Sequence, residues 1–431
     1  MRIAYIVSRF PKLSETFVYR EIAELRRQGA EVLCFSIHRP EAEPLPPAAQ
    51  TFREETTYLW PPPPVRFVFG ILYFAVTAFT RFGGTLNWYW RCAPRRGNAK
   101  KRFLLHFFEG VYFAHLCKQR RVDYIHAHFA NGPSSVAMAA SELSGIPFGF
   151  TCHAQDIYAD PLLLEHKIDR AQIALTISEF NRQYIRENFS LQNPSHLEVH
   201  RVAVDLTQFR PRPGARPDSK SPLILSIGRL VPKKGFIHLI RACEILAQQK
   251  MSFRCWIIGE GPERGPLQEA IKQAGLQEQV NLLGAQADVK KFLSQAEVFV
   301  QPSIVDKSGD RDGIPTTLME AMAMQVPVIA TTVTGIPELI QHERNGLLAP
   351  PENAEALAVA IIRLRADDRL RHALIANARK YIEMHHNLAA NTQRLLHKIA
   401  AVTRSAGFQP ANEAGKMSAL QYLRDRIAFP E

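Results

Sequence analysis

The sequence is short of cysteine, of long apolar runs and of any motif that marks a bound metal. Six cysteines occur in 431 residues. None stands in a C-x-x-C pair, and their spacing suits neither a zinc ligand set nor a disulfide framework. Cys34, Cys152 and Cys255 lie inside apolar, strand-like runs, which reads as small buried thiols in a reducing compartment. The opening Met1-Arg2-Ile3-Ala4-Tyr5-Ile6-Val7 is too short and too soon interrupted for a secretory leader and reads as a first buried strand. The longest apolar stretch, Phe67 to Phe79, falls short of the roughly 20 residues that cross a bilayer. That argues against a spanning helix and leaves attachment to a membrane surface open. No short-period repeat is present. No D-x-D motif follows a strand: Asp310-Arg311-Asp312 has the spelling but lies in a loop before a helix.

What is present is an ordinary globular composition, 46% hydrophobic, in a chain too long for a single core, so two domains are expected. A net charge of +12 asks for an acidic partner: nucleic acid, a phosphorylated substrate or anionic lipid. The cations are not interleaved with aromatics on a recognisable nucleic-acid module, so no nucleic-acid partner is expected.

Strands and helices alternate, which predicts parallel, doubly wound sheets. In the first half the strands read as Ile3 to Val7, Val32 to Ile37, Tyr124 to His126, Phe148 to Cys152, Ile173 to Thr176 and Glu198 to Val202. A helix over residues 15–28 buries Val18, Ile22 and Leu25, with Ser14 as its N-cap and Gly29 at its end. In the second half the strands read as Leu223 to Ile227, Phe253 to Ile258, Val280 to Leu283, Val298 to Gln301 and Pro327 to Ala330. A helix covers 236–248, and a long helical segment covers 354–402 with a break near His386. Between the halves, residues 206–222 are rich in Pro and polar residues and read as a linker.

The densest chemistry lies in Asp312-Gly313-Ile314-Pro315-Thr316-Thr317-Leu318-Met319-Glu320, after a strand and opening a helix. Proline suits a first helical turn, and the free N–H groups around Gly313 to Thr317 make an anion site. Asp312 and Glu320 put two carboxylates beside it, suited to the vicinal hydroxyls of a sugar or ribose. Gly228-Arg229 and Lys234-Gly235 stand at the carboxyl edge of the first strand of the same half, where open α/β sheets bind ligands. Two cations there can hold a diphosphate.

With these residues in place the chain resembles family 4 of the retaining glycosyltransferases, over roughly residues 1–400 and most densely over 223–350. Gly228, Arg229, Lys234 and Gly235 match that family's G-R-x-x-x-x-K-G run, and Gly259-Glu260-Gly261-Pro262 its G-[DE]-G-P turn. Glu320-Ala321-Met322-Ala323 followed by Pro327-Val328-Ile329-Ala330, Gly335-Ile336-Pro337-Glu338-Leu339-Ile340 and Asn345-Gly346-Leu347-Leu348 complete the series. The resemblance implies the GT-B fold, an α/β arrangement of two Rossmann-like doubly wound domains facing a cleft. It implies that Arg229 and Lys234 hold the diphosphate, that Glu320 binds ribose hydroxyls, and that the backbone at Ile314, Thr316 and Thr317 meets sugar or phosphate oxygens. Asp312 takes the place of the family's first Glu near the donor sugar, one methylene shorter. His153, in Phe150-Thr151-Cys152-His153-Ala154-Gln155-Asp156, resembles the family's histidine loop close to that sugar. In His126-Ala127-His128-Phe129, His126 is expected to be buried and His128 to face the cleft. Ser8-Arg9-Phe10-Pro11-Lys12-Leu13-Ser14-Glu15-Thr16-Phe17 replaces a common glycine pair and resembles the P-x-x-S-E-T-F subgroup, tied to exopolysaccharide assembly of the colanic-acid type. Ser14, Glu15, His128 and Asp156 are therefore assigned to the acceptor side, and Asp312, Glu320 and His153 to catalysis.

The expected organisation is an acceptor-side domain over 1–205 with a membrane-facing insertion at about 60–121, the linker 206–222 and a nucleotide-sugar domain over 223–384. A helix over 385–404 would pack back on the first domain, and the tail 405–431 is expected to lack order. The insertion joins Pro61 to Pro64, the apolar stretch, Trp88, Tyr89 and Trp90, and nine Lys or Arg against one acid between Arg91 and Arg121. That pattern fits an anionic leaflet; equally, the apolar stretch could pack inside the domain. The expected activity is metal-independent, retaining transfer from a nucleotide sugar, with no cofactor, to a lipid-linked glycan at the cytoplasmic face of a membrane. A two-domain nucleotide-sugar enzyme of the epimerase kind and a non-catalytic sugar- or nucleotide-binding scaffold are the alternatives.

Overall fold

The computed structural model describes residues 1–41, 45, 47–93, 97–211 and 221–405, so all of the tail after Ser405 lies outside the described residues. The chain builds two parallel sheets. The first has seven strands: β1 (Arg2–Arg9), β2 (Glu31–His38), β3 (Thr57–Tyr58), β4 (Tyr124–His128), β5 (Phe148–Cys152), β6 (Ile173–Thr176) and β7 (Leu197–Val199), in the order β3-β2-β1-β4-β5-β6-β7. The second has six: β8 (Leu223–Ile227), β9 (Arg254–Ile258), β10 (Val280–Leu282), β11 (Val298–Gln301), β12 (Val328–Thr331) and β13 (Leu347–Ala349), in the order β10-β9-β8-β11-β12-β13. The central strands β4, β5, β8 and β11 are buried along their whole length. Parallel strands covered on both faces by helices require this, and it is why they are written as unbroken apolar runs. The architecture is the two-domain α/β fold that the motifs imply.

The first helix starts at Thr16, after a short 3₁₀ turn at Leu13–Glu15, and ends at Arg27. Ser14 therefore sits inside the turn and does not cap the helix. Pro315 precedes the helix Thr316–Ala323 as its N-cap residue and is not its first residue. The final segment is three helices, Ala354–Ala366, Asp368–His385 and Leu388–Ser405. The extra break comes at Asp367, whose carboxylate accepts the N–H of Leu370 at 2.8 Å and so starts a new helix.

The last helix returns to the first domain. Leu395 and Ile399 share a buried cluster with Val18, Ile22 and Leu25, and Gln28 Nε2 donates to the Ala389 carbonyl at 2.9 Å. Where the chain crosses, Val204 bridges Asn387, and His386 Nδ1 meets the Val202 carbonyl at 2.7 Å. The two passes between domains are thus hydrogen-bonded to each other.

The insertion forms helices Pro64–Thr77, Phe79–Cys92 and Gly97–Gln119. Among the described residues no single helix is long and apolar enough to cross a membrane, and the pair Pro64–Thr77 and Phe79–Cys92 is bent by 112°. The apolar stretch is divided by face. Gly70 and Phe74 are buried against the helix behind, with His115 at 3.4 Å from where a Cβ on Gly70 would stand. Val65, Val68, Phe69, Leu72, Val76 and Phe79 are 52–82% exposed. Val65, Val68, Phe69, Leu72 and Val76 recur at helical spacing and make one outer stripe on the first helix, and Phe79 opens the next helix beyond the bend.

Candidate functional site

The turns after β8, β9 and β11 converge at one end of the second sheet. Gly235 has φ +63°, and a Cβ there would stand 2.0 Å from the Pro302 carbonyl oxygen. Gly259 (φ +149°) lies back to back with Gly228, its would-be Cβ 1.8 Å from that residue's carbonyl. Only glycine permits these contacts, and they lock the Arg229 turn against both neighbours. Lys233 is buried and pairs with Asp310 at 2.9 Å, while its carbonyl accepts the N–H of Ile304. It pins the loop that carries Asp312; the sequence reading passed over it, because a lysine in a turn looks solvated until its acid partner is located.

A cavity of about 740 Å³ opens between the domains at this edge. Gly228, Arg229, Lys234, Asp312, Ile314, Thr316, Thr317 and Glu320 line it from the second domain. Ser14 lines it from the first; Glu15 does not, and lies 3.8 Å from Lys12 instead. Asp312 Oδ2 is 2.9 Å from Lys234 Nζ and accepts the Ser303 hydroxyl at 2.7 Å. Burial would push this carboxyl up, but the attraction of Lys234 and Lys233 outweighs it and holds the group below its ordinary value. Glu320, on the site helix, is 2.6 Å from Arg20 Nη1 of the first domain. Arg20 was not legible as a site residue, because its partner is 300 positions away. Among the described residues, Arg229 belongs to no ion pair. A more open hollow of about 1020 Å³ near Arg81 and Arg170 lies outside this constellation.

The first domain closes on the second through Gly313. A Cβ there would stand 2.9 Å from Ile177 Cδ1 and 3.3 Å from the His153 carbonyl oxygen. His153 is thus placed across from Asp312-Gly313, but it is 7% exposed and lines a smaller void behind the cavity. Burial and the neighbouring His128 hold its imidazole well below the usual value, so it is neutral. Glu338 ties the domains further along, accepting the N–H groups of Glu179 at 2.9 Å and Phe180 at 2.6 Å. Those are the first amides of the helix Glu179–Asn188, where a carboxylate also complements the helix dipole.

Two acceptor-side assignments do not hold. Asp156 is fully buried and accepts the N–H groups of Ala130, His153 and Ala154 at 2.6–3.2 Å. It staples the ends of β4 and β5 together, because three free amides at strand ends need an acceptor once they are buried. His128 is 1% exposed, with its nitrogens engaged by Glu21 at 3.2 Å and His153 at 3.1 Å. It stands behind His153 and does not face the cleft. His126 is buried, meeting the Thr151 hydroxyl at 3.1 Å. Ligand-type atoms of Glu21, His126 and His128 lie within 4.8 Å of one another. Those of Glu21 and His128 are hydrogen-bonded to each other, and the Tyr5 hydroxyl adds a bond to Glu21, which makes this a polar network.

Two family models match the chain in succession: Glycosyltransferase Family 4 over residues 14–208 and Glycosyl transferases group 1 over residues 209–381. The putative colanic acid biosynthesis glycosyltransferase WcaL of Escherichia coli is 30% identical over 371 residues, covering 83% of this chain and 89% of that one. WcaL of Salmonella typhimurium is 29% identical, covering 92% and 98%. Among solved structures, Anabaena HepE in complex with UDP superposes with a TM-score of 0.68 at 17% identity, covering 93% and 100%.

Proposed function

The chain belongs to family 4 of the glycosyltransferases, and from that premise we propose that it moves a hexose from a nucleoside diphosphate sugar to a hydroxyl of a glycan in surface-polysaccharide synthesis. The single observation that carries this reading is the composition of one cavity: Arg229, Lys234 and a helix start beside Asp312 and Glu320. As the bond between the anomeric carbon and the diphosphate breaks, negative charge grows on the leaving group. Fixed cations and free amides aimed at that charge stabilise it in a water-poor site. Arg229 supplies a planar fork, Lys234 a point charge, and Ile314, Thr316 and Thr317 the backbone. Glu320 takes the ribose hydroxyls, Asp312 a hydroxyl of the sugar, and His153 closes the opposite wall. With this positive charge built in, the reaction needs no metal ion, and the family resemblance supports retention at the anomeric carbon.

The acceptor in this reading is lipid-linked and meets the enzyme at the cytoplasmic face of a membrane. The exposed stripe from Val65 to Phe79 supports it, with Trp90 58% exposed and Lys100 4.1 Å from its ring. An apolar helix face next to cations matches the boundary of an anionic leaflet. WcaL, named for colanic acid biosynthesis, supports the polysaccharide class.

The test is a panel of nucleotide sugars with a lipid-linked glycan acceptor. Acceptor-dependent release of nucleoside diphosphate, unchanged by EDTA, with the donor's anomeric configuration kept in the product, is the expected outcome. Release without acceptor, an inverted product, or loss in EDTA restored by manganese would each overturn the corresponding part.

A further inference from the structure

Behind His153 runs a buried chain of side chains that the transfer chemistry above does not use. Tyr5 on β1 donates its hydroxyl to Glu21 Oε1 at 2.7 Å. His128 on β4 places Nε2 3.2 Å from the same oxygen. His200, after β7, reaches the other carboxylate oxygen at 3.5 Å. His128 Nδ1 lies 3.1 Å from His153 Nε2. Phe17 and Phe129 pack on the His153 ring with centroids at 4.6 and 4.8 Å. Its backbone is held as well, the N–H by Asp156 and the carbonyl by Asn181. Ring position is therefore settled by packing, and what remains open is which nitrogen carries the proton.

Hydrogen-bond arithmetic along the chain answers that. An ionised carboxylate only accepts, so His128 Nε2 must be its donor. With His128 singly protonated, its Nδ1 is then an acceptor, His153 Nε2 donates to it, and the lone pair of His153 falls on Nδ1; a doubly protonated His128 would give the opposite tautomer of His153. Among the described residues, Nδ1 of His153 has no hydrogen-bond partner. We propose that Glu21, acting through His128, is a positioning residue that fixes His153 as its Nε2–H tautomer and so leaves Nδ1 as an acceptor for a sugar hydroxyl. The hydroxyl part of this rests on the transferase reading; the tautomer part does not. Glu21 is suited to the task. Burial would raise its carboxyl, yet the hydrogen bonds from His128 and His200 hold it well below the usual range. The neighbouring His126 is not a link, since its Nε2 meets Thr151 and burial keeps it neutral down to about pH 3. A buried acid orienting one imidazole through its ring proton is the logic of an acid–histidine pair in hydrolases, here extended by one ring.

Long-range proton–nitrogen correlation on the ¹⁵N-labelled full chain reads the tautomers directly. The wild type is expected to show His153 protonated on Nε2. Glu21→Gln, whose amide can donate to His128, is expected to mix or reverse both tautomers and to lower kcat on the order of tenfold, with KM for the nucleotide sugar nearly unchanged. Tyr5→Phe removes a donor to the same carboxylate and is expected to lower the melting temperature while leaving tautomer and kcat near wild type. His153 protonated on Nδ1 in the wild type overturns the proposal even if Glu21→Gln does not fold. So does a Glu21→Gln protein that keeps the wild-type tautomer. If the tautomer follows Glu21 but no nucleotide sugar is turned over, the relay stands and the transferase reading falls.

Discussion

The two halves of the molecule line one cleft but differ in what they keep behind it. The C-terminal half pairs its charges at the turns, Lys233 with Asp310 and Lys234 with Asp312, each within 3 Å, while Glu320 pairs with Arg20 of the other half. The N-terminal half lines the cleft with Arg20, Glu24, Arg27 and Asp205, and behind that lining it buries groups that avoid charge: His126 and His153 are both driven toward the neutral form, around one ionised carboxylate at Glu21. A site that binds a permanent anion needs permanent cations on rigid turns. Behind the N-terminal lining, burial keeps the imidazoles neutral and leaves oriented dipoles in place of charges. The halves differ outward too, since the exposed apolar stripe belongs to the N-terminal half.

The sharpest break of this comparison is on the charged side. Arg229→Ala combined with Lys234→Ala should lower kcat/KM by roughly 10²–10³-fold, the loss typical of removing preorganised charge stabilisation. The melting temperature should fall in the double variant, because Lys234→Ala leaves the buried Asp312 carboxylate without its 2.9 Å partner, and should change little for Arg229→Ala alone. Steady-state transfer assays and thermal unfolding check both; normal transfer rates would dissolve the contrast between the halves.

The next effect is on the neutral side and appears only in acid. His126 titrates near pH 3 in the folded chain against an ordinary 6.5. Below pH 6.5 the unfolded chain therefore binds a proton that the folded chain refuses, so stability is complete above 6.5 and declines as pH falls toward 3. One such group contributes about 1.4 kcal/mol per pH unit, roughly 4 kcal/mol over the window. His386, held near 4 by burial, adds to the decline. Denaturant unfolding between pH 7 and 4 should show it, and His126→Asn should make the slope shallower by about one proton. An unchanged slope would mean that the neutral wall is not neutral.

The smallest effect sharpens the outward difference. Changing Phe69, Leu72 and Phe79 to Ser should weaken binding to phosphatidylglycerol vesicles about tenfold, since partial insertion at the headgroup boundary leaves each side chain about 0.5 kcal/mol of the about 1.5–3 kcal/mol that full burial is worth. Transfer to a water-soluble acceptor should stay as it was. Sedimentation with vesicles measures the first, and equal sedimentation of variant and wild type would remove the stripe from the membrane reading.

The same contrast explains what was legible in the sequence. Strands β5, β6, β8 and β11 were read to the residue, because buried parallel strands are apolar along their length. The two-residue β3 has no period to read. The cradle at 228–235 and 312–320 was legible because it is local, with turn glycines, cations and a helix start following a strand. The N-terminal wall was half legible. His126 and His128, two apart on a strand, share a face, which the spacing alone implies. Glu21 and His200 join them only through the fold, and Arg20 meets Glu320 only when the domains face each other. Asp156 and His128 are expected on the acceptor side from their place in loops that resemble the family's; here each saturates buried groups instead.

The Arg20–Glu320 bond joins the helix of the S-E-T-F turn to the carboxylate assigned to ribose. A residue close to the acceptor-side turn and the carboxylate assigned to ribose thus share one ion pair. A nucleotide that engages Glu320 must compete with the guanidinium of the opposite domain, and that guanidinium stands six residues after Ser14, on the helix that the turn leads into. Exchanging the turn among relatives is therefore expected to alter nucleotide binding without touching a nucleotide contact.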